Sequence, residues 1–235
     1  MKMNRHLAIL LIAVSAMMVS CTAEEAYPGY YDWDHQSASN SDSDSYYTGT
    51  FNAIATIKKS PNDTVYFQLN DSTTVYPTNY QGAYTRMERL IGRVNASNRP
   101  KGSFKYTCWV EWAEPLEEGT VSSSAKGDDS IDVLDDWMTS VEDGFLTVHY
   151  DVMWGAIPVV HSFSIVTGTN PDDPYELVLR HNANGDAKDQ KGDGLVYFDI
   201  NSLPDTGGKY IQLTLKWKSL EGSDSQRQFK FKTRE

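Results

Sequence analysis

Four polar residues in the C-terminal half of the chain have the type and spacing of cation ligands. They are Asn182, Asn184, Asp186 and Asp189, and Gly185 lies between them, where it would allow a sharp turn. Hard cations such as Ca²⁺ bind oxygen ligands supplied at alternate positions of one loop. The glutamate that completes a full calcium loop is absent, and Asn-Gly-Asp is also a strong turn signal. The segment predicts either a tight loop between two strands or a calcium site at these four residues.

Three histidines could act as general bases or as zinc ligands. His149, His161 and His181 fall on three separate predicted strands, and the sequence has no His-x-x-x-His or Cys-x-x-Cys spacing. It also has no Gly-x-Ser-x-Gly elbow, Walker loop or dinucleotide fingerprint. We therefore predict a protein that is not an enzyme, with no catalytic residues and no cofactor besides the calcium alternative.

The N-terminus has the form of an export signal that ends at a cysteine. Lys2 and Arg5 precede an apolar run at 7–14, and Ser20 stands immediately before Cys21. A basic region, a short apolar region and a small residue at the cut are typical of a signal peptide. A cysteine at that point predicts a lipobox, with residues 1–20 removed and Cys21 carrying lipid. Two or three acyl chains would anchor the protein to a membrane stably.

The second cysteine has no partner for an intrachain disulfide if Cys21 is acylated. Cys108 lies in the segment 104–112, whose alternating pattern is typical of a strand. The two alternatives for Cys108 are a buried small hydrophobic residue and a reactive thiol.

The charge of the mature chain argues against nucleic acid as a partner. Loss of Lys2 and Arg5 from the total of 21 basic residues leaves 19 against 32 acidic ones, a net charge of −13. Such a surface repels phosphate backbones and anionic headgroups. This outweighs a local concentration of basic and tyrosine residues, namely Arg86, Arg89, Arg93, Arg99, Lys101, Lys105, Tyr80, Tyr84 and Tyr106. We predict no nucleic acid partner, and the lipid as the only contact with the membrane.

The elements that would position these residues are strands throughout. Residues 21–46 predict a flexible tether because the Ser- and Asp-rich stretch has no apolar periodicity. Residues 47–125 predict a small barrel or a curled sheet from strands at 51–57, 64–69, 73–76, 88–94 and 104–112. Residues 126–235 predict an antiparallel β-sandwich. Its strands are expected at 145–154, 159–166, 175–180, 195–200, 210–218 and 228–232, with 131–137 as an extra candidate.

The order of these parts resembles a known family. The lipobox is followed by Phe-Gln-Leu-Asn-Asp-Ser-Thr-Thr-Val-Tyr-Pro at 67–77 and by Leu-Arg-His-Asn-Ala-Asn-Gly-Asp at 179–186. Together these segments are similar to the NigD-like lipoproteins of Bacteroidota. The resemblance implies an all-β fold with an OB-like barrel followed by a β-sandwich. It implies an envelope lipoprotein, and it brings no established reaction and no catalytic residues.

Two acidic residues behind the cysteine bear on location. In this phylum, acidic residues just after the lipidated cysteine act as a signal for display on the cell surface, and Glu24 and Glu25 resemble that signal. We expect lipid anchoring at the outer membrane, facing the cell exterior, with ordinary tether residues and a periplasmic orientation as the alternative.

The combined expectation is a non-catalytic outer-membrane lipoprotein that presents a surface to an unknown protein or glycan partner. A bacteriocin-associated immunity protein is the second hypothesis, because an acidic surface would attract a basic toxin. An envelope hydrolase is the third, and it would need a buried cluster of histidine, carboxylate and serine in a cleft.

Overall fold

The computed structural model describes residues 48–80, 82, 86–157 and 159–234. The predicted signal peptide, Cys21 and the predicted tether lie outside these residues and stay predictions. All the described residues belong to one unit of the chain, Trp33–Glu235. Within them, no helix has the length and apolarity needed to cross a membrane.

The first part of the chain forms a closed five-stranded barrel, in the strand order β1-β2-β3-β5-β4. Its strands are β1 (Gly49–Lys59), β2 (Val65–Gln68), β3 (Thr74–Pro77), β4 (Glu88–Ser97) and β5 (Tyr106–Pro115). β2 and β3 form the predicted hairpin, and only the β3–β5 pair is parallel. This confirms the OB-like barrel expected from the sequence.

Alternation along each strand places one set of side chains inside the barrel. The buried residues include Ile57, Phe67, Val75 and Leu90. Cys108 lies among them at 3% exposure, and burial raises the pKa of its thiol to about 12. A thiol with so high a pKa carries almost no thiolate near neutral pH, so Cys108 acts as a small core residue.

The second part of the chain is a sandwich of two five-stranded sheets. One sheet has the order β6-β13-β10-β8 with β9 paired to β10, and the other has the order β15-β14-β12-β11-β7. The six strands predicted within 145–232 are all present, which confirms the β-sandwich. The bounds are β6 Glu117–Glu118, β7 Thr120–Ser122, β8 Asp132–Val133, β9 Ser140–Glu142, β10 Phe145–Trp154, β11 Ser162–Val166, β12 Glu176–Asn182, β13 Gln190–Asp199, β14 Ile211–Lys218 and β15 Asp224–Phe231.

The sandwich differs from the sequence-based expectation in two respects. The pairs β7–β11, β12–β14 and β6–β13 are parallel, so the sheets are mixed rather than purely antiparallel. β12 and β14 run the same way because β13, which connects them, belongs to the opposite sheet. The domain boundary expected at residue 125 lies after β6 and β7, which already pair with sandwich strands. Strands up to β5 pair within the barrel and strands from β6 onward pair within the sandwich, so the change from barrel to sandwich pairing occurs at Leu116. The polar composition of the segment does not reveal this, because a polar segment can still supply edge strands.

The turn between β9 and β10 fastens the sandwich to the barrel. Asp143 and Gly144 both have positive φ angles, 53° and 72°, as a tight hairpin turn requires. The Asp143 carboxylate lies 2.6 Å from Lys58 Nζ, and the Asp143 N–H donates to Asp71 Oδ1 at 2.6 Å. Both partners belong to the barrel.

Arg89 on β4 is fully buried at the same contact. Its Nη1 donates to Thr56 Oγ1 at 3.1 Å, and its Nη2 lies 3.7 Å from Glu142 Oε2. The guanidinium carbon is 5.6 Å from the centre of the Phe145 ring. The interface therefore holds a buried cation between an apolar ring and one carboxylate.

A pH dependence follows from Glu142, whose side chain is 25% exposed. Burial raises its pKa to about 7, and nearby Arg89 only partly opposes this. The folded chain therefore holds the Glu142 proton more tightly than the unfolded chain does. Its contribution to stability is fully present below the ordinary pKa of 4.5 and is lost as the pH rises through 7. We expect the free energy of unfolding to fall by about 1–3 kcal/mol from this group between about pH 5 and about pH 8.

Urea denaturation of the native chain and of Glu142→Gln across this pH range measures the effect. The variant should lose this part of the pH dependence, whereas Glu221→Gln, at an exposed turn residue, should keep it. Parallel curves for the native chain and Glu142→Gln would contradict the assignment.

Candidate functional site

Two tryptophans stand on the outer face of the barrel. Trp109 is 59% exposed and Trp112 is 44% exposed, and both belong to β5. A tryptophan side chain normally contributes a large buried area to a core or an interface. Two of them left exposed on one strand are therefore candidates for ligand contact.

Strand register puts a row of polar residues beside each tryptophan. Trp109 lies opposite Asn95 on β4, which lies opposite Thr50 on β1. Trp112 lies opposite Arg93 on β4, which lies opposite Asn52 on β1. We call this set the tryptophan surface; it consists of Trp109, Trp112, Arg93, Asn95, Thr50 and Asn52.

A β-bulge brings both tryptophans to the same side. The register of β4 against β5 shifts between Arg93 and Val94, so Glu111 has no direct partner across the pair. Residues 109 and 112 would point to opposite faces of a regular strand, because side chains alternate with a period of two. The extra residue of the bulge shifts this alternation by one position, so the side chains of Trp109 and Trp112 point to the same face.

The backbone beneath the tryptophan surface is fixed by a side chain. Asn79 donates its amide to the Val110 carbonyl at 2.8 Å and accepts the Val110 N–H at 2.7 Å. These two bonds continue the β3–β5 pairing, which ends at Pro77 and Cys108. Between the two tryptophans, β5 is thus hydrogen-bonded to β4 along one edge and to the Asn79 side chain along the other.

The charges of this surface balance locally. Arg93 Nε donates to Glu111 Oε2 at 3.1 Å, and Arg93 Nη1 donates to Asn52 Oδ1 at 3.3 Å. The guanidinium and the carboxylate are both about two-fifths exposed, at 42% and 41%. The tryptophan surface therefore offers hydrogen-bond donors and acceptors beside two aromatic rings, and the adjacent Glu111 carboxylate balances its one positive charge.

The four predicted calcium ligands lie on and before the loop between β12 and β13, where they hold a neighbouring loop. Asp186 accepts the N–H groups of Gly155 and Ala187, each at 2.8 Å. Asp189 accepts the Ala156 N–H at 3.1 Å, and the Asn184 amide donates to the Val160 carbonyl. Asn182 accepts the Asn184 N–H at 3.0 Å, which forms a local turn. These bonds favour the tight-loop alternative, and the calcium site stays a prediction.

Two of the three histidines, predicted on separate strands, come together. His161 Nδ1 and His181 Nε2 are 2.9 Å apart, His181 Nδ1 lies 3.0 Å from the Ser130 carbonyl, and His161 Nε2 lies 3.1 Å from Asp186 Oδ2. The chain of bonds begins and ends on an acceptor. Trp154 stacks on His161 with the ring centres 4.0 Å apart.

This arrangement fixes the number of protons in the pair. Both terminal nitrogens must donate, and one proton must lie between the rings, so the two imidazoles share three N–H protons and one positive charge. The Gly155 N–H and the His161 imidazole lower the pKa of Asp186, which keeps the carboxylate ionised opposite that charge. Burial lowers the pKa of His181. The side chains of His161 and Asp186 are 1% and 4% exposed. The histidine pair and Asp186 therefore stabilise the interior of the sandwich.

The third histidine lies apart from this pair. His149 bridges Asp136 at 2.5 Å and Asp193 at 3.2 Å, on the other sheet of the sandwich. In the parts of the chain that the structure describes, no group of three or more His, Cys, Asp or Glu side chains could hold a metal ion.

Three of the basic residues considered for nucleic acid make contacts within the protein. Arg89 is buried at the domain contact, Arg93 pairs with Glu111, and Arg86 pairs with Glu118. Arg93 and Arg86 are thus neutralised by carboxylates.

Sequence reasoning missed the tryptophan surface, although part of the signal was present. If Cys108 is buried, alternation alone points the neighbouring Trp109 outward. The bulge that adds Trp112, and the pairing that adds Asn95 and Arg93, have no local signature.

The sequence and the fold were compared with known proteins. Residues 113–231 match the family described as the NigD-like C-terminal beta sandwich domain. No curated protein matches the chain.

Solved structures share the fold. A candidate toxin-related protein from Parabacteroides distasonis is 24% identical, with a TM-score of 0.61, over 78% of this chain and 94% of that chain. A NigD-like immunity protein from Bacteroides caccae is 14% identical, with a TM-score of 0.55, over 77% and 93%. A candidate lipoprotein from Bacteroides fragilis is 10% identical, with a TM-score of 0.55, over 79% and 100%. Likeness at these identities shows the fold alone.

Proposed function

Because this chain belongs to the family of NigD-like proteins, we propose that it is a non-catalytic binding protein of the outer membrane. Lipid on Cys21 anchors it, and the tether holds the two β domains toward the cell exterior. The partner binds at the tryptophan surface of the barrel.

The sequence supports the anchor. The basic residues, the apolar run and the small residue before Cys21 form an export signal that ends in a lipobox. Glu24 and Glu25 support outward display. A protein with a similar fold from Bacteroides fragilis is itself a candidate lipoprotein.

The exposure of Trp109 and Trp112 is the observation that carries the binding role. Burying an aromatic side chain in a core or an interface is favourable, and such residues are enriched at the centres of interfaces. The histidine and carboxylate groups fit structural roles better than catalysis. Both nitrogens of His161 are occupied, and its side chain is 1% exposed, so it has no access to a substrate.

The experiment is expression in a Bacteroides host with metabolic labelling by an azido fatty acid, followed by protease treatment of intact cells. We expect the native chain to carry label, to fractionate with the outer membrane and to be cleaved from outside. Cys21→Ser should lose the label and the membrane association, whereas Cys108→Ser should keep both. An unlabelled native chain, or one protected in intact cells and cleaved only after lysis, would contradict the anchor or its orientation.

An immunity role is a second candidate. A structure with a similar fold is a NigD-like immunity protein from Bacteroides caccae, and the mature net charge of −13 would steer a basic toxin toward this chain. Sensitive Bacteroides cells that express the chain would then survive a bacteriocin that kills control cells. Equal killing of both strains by all bacteriocins of a Bacteroidota panel would count against this role.

A further inference from the structure

We propose that the tryptophan surface binds a neutral, β-linked oligosaccharide of at least two pyranose rings. This deepens the proposed function, on which it rests, by naming the class of ligand for the same surface.

Sugar rings have one apolar face made of C–H groups, and indole rings are large apolar plates with an electron-rich face. Trp109 and Trp112 project such plates from a single strand, at 59% and 44% exposure. A partner that stacked on them would cover apolar area without having to order the side chains of a flexible loop. The two tryptophans would therefore contact the apolar faces of two sugar rings.

The separation of the tryptophans fits more than one ring. Three residues of extended strand span about 10 Å, and the bulge shortens this slightly. Such a span exceeds one pyranose ring and suits two rings of an extended chain. β-linked equatorial chains are extended and present flat faces, whereas α-linked chains coil away from a flat sheet.

The polar rows supply the hydrogen bonds that sugar hydroxyls need. Each hydroxyl group both donates and accepts. Asn95 and Thr50 continue the row of Trp109, and Arg93 and Asn52 continue the row of Trp112. An exposed amide beside one ring and a guanidinium beside the other can reach the edge of a stacked sugar.

Charge selects among glycans. Arg93 is the single cation of the tryptophan surface, and its guanidinium is already paired with the Glu111 carboxylate at 3.1 Å. An acidic polysaccharide would meet no unpaired cation there, and the −13 net charge of the mature chain would repel it. The balance of charge therefore favours a neutral glycan over an anionic glycan or a nucleic acid.

The surface is also preorganised. The tryptophans project from a strand paired on one side with β4 and clamped on the other by the two Asn79 bonds at Val110. Rigid positions reduce the entropy lost on binding.

The experiment measures glycan binding by isothermal titration calorimetry on the expressed protein purified in detergent micelles, whether or not Cys21 carries lipid. The probes are three neutral hexasaccharides, namely β-1,4-linked glucose, β-1,4-linked N-acetylglucosamine and α-1,4-linked glucose, and an anionic oligogalacturonate. We expect at least one β-linked probe to bind, and both the α-linked and the anionic probes to bind at least about tenfold more weakly. Trp109→Ala and Trp112→Ala should each weaken binding about tenfold, since each removes one stacking contact. The double variant should abolish binding.

Tyr210→Ala is the matched control. Tyr210 is a 56% exposed aromatic residue of the sandwich, outside the tryptophan surface, and its loss should leave glycan affinity unchanged. Circular dichroism and thermal unfolding check that every variant is folded. Absence of binding to both β-linked probes, equal affinity for oligogalacturonate, or unchanged affinity in the folded double variant would each overturn the glycan assignment. Lipidation and surface display are measured separately, so their failure would count against the proposed function and not against this ligand class.

Discussion

Replacing Arg89 with alanine should lower the free energy of unfolding by about 3–5 kcal/mol, as loss of one partner of a buried ion pair does. The guanidinium is completely buried between the barrel and the sandwich, with Thr56, Glu142 and Phe145 around it. The alanine variant loses the hydrogen bond to Thr56, leaves a cavity and removes the cation that lies beside the Glu142 carboxylate. Urea denaturation at neutral pH, followed by tryptophan fluorescence, measures the loss.

Two further variants separate charge from packing at this site. Arg89→Met combined with Glu142→Gln should recover most of the stability, because it removes both charges and keeps the volume. Arg93→Ala, on the same strand, breaks an exposed ion pair and should cost about 1 kcal/mol or less. If Arg89→Ala cost no more than Arg93→Ala, Arg89 would have no special role in joining the domains.

Asp186→Ala should destabilise the chain by about 2–4 kcal/mol, because three donors lose a buried acceptor and one of them belongs to the histidine pair, which carries one positive charge. Those donors are Gly155 N, Ala187 N and His161 Nε2. Without the carboxylate, the histidine pair should lose its third proton. Nitrogen-15 NMR of the imidazole rings reports that change, since the two rings together should have three protonated nitrogens in the native chain and two in the variant.

The same variant also tests the calcium alternative. For the native chain, and separately for Asp186→Ala, we expect the melting temperature in calcium to equal the melting temperature in chelator. The reason is that the oxygens of Asp186 in the native chain are already occupied by protein donors. Asp189→Ala removes one exposed acceptor and should cost about 1 kcal/mol or less. If chelation lowered the melting temperature of the native chain to that of Asp186→Ala, calcium would be the reason for these residues.

Most strands could be predicted because their signal is local. Residues 146–152 and 211–218 alternate apolar and polar types without interruption, and the strands predicted around them form β10 and β14 at nearly the predicted bounds. The short edge strands could not be predicted in this way. β6 and β7 lie in a polar segment whose composition predicts a domain boundary, and their pairing depends on β13 and β11, far along the chain.

The predicted loop ligands and the tryptophan surface show the same difference between local signals and long-range contacts. The spacing of Asn182, Asn184 and Asp186 correctly indicated a structured loop, because Asn-Gly-Asp favours a turn in any context. Sequence spacing gave no sign that Asp186 would meet His161, which lies 25 residues earlier in the chain. It gave no sign either that Trp112 would join Trp109.

The amino-acid sequence alone determined the all-β class and the succession of two β-rich regions, because alternation with a period of two is written into neighbouring residues. The tertiary structure alone decided which residues became partners. It brought His161 to His181, buried Arg89 against Glu142 and aligned two polar rows with two tryptophans. The physical reason is that strand register and sheet packing are set by contacts between distant segments, whose free energies no short window of sequence contains.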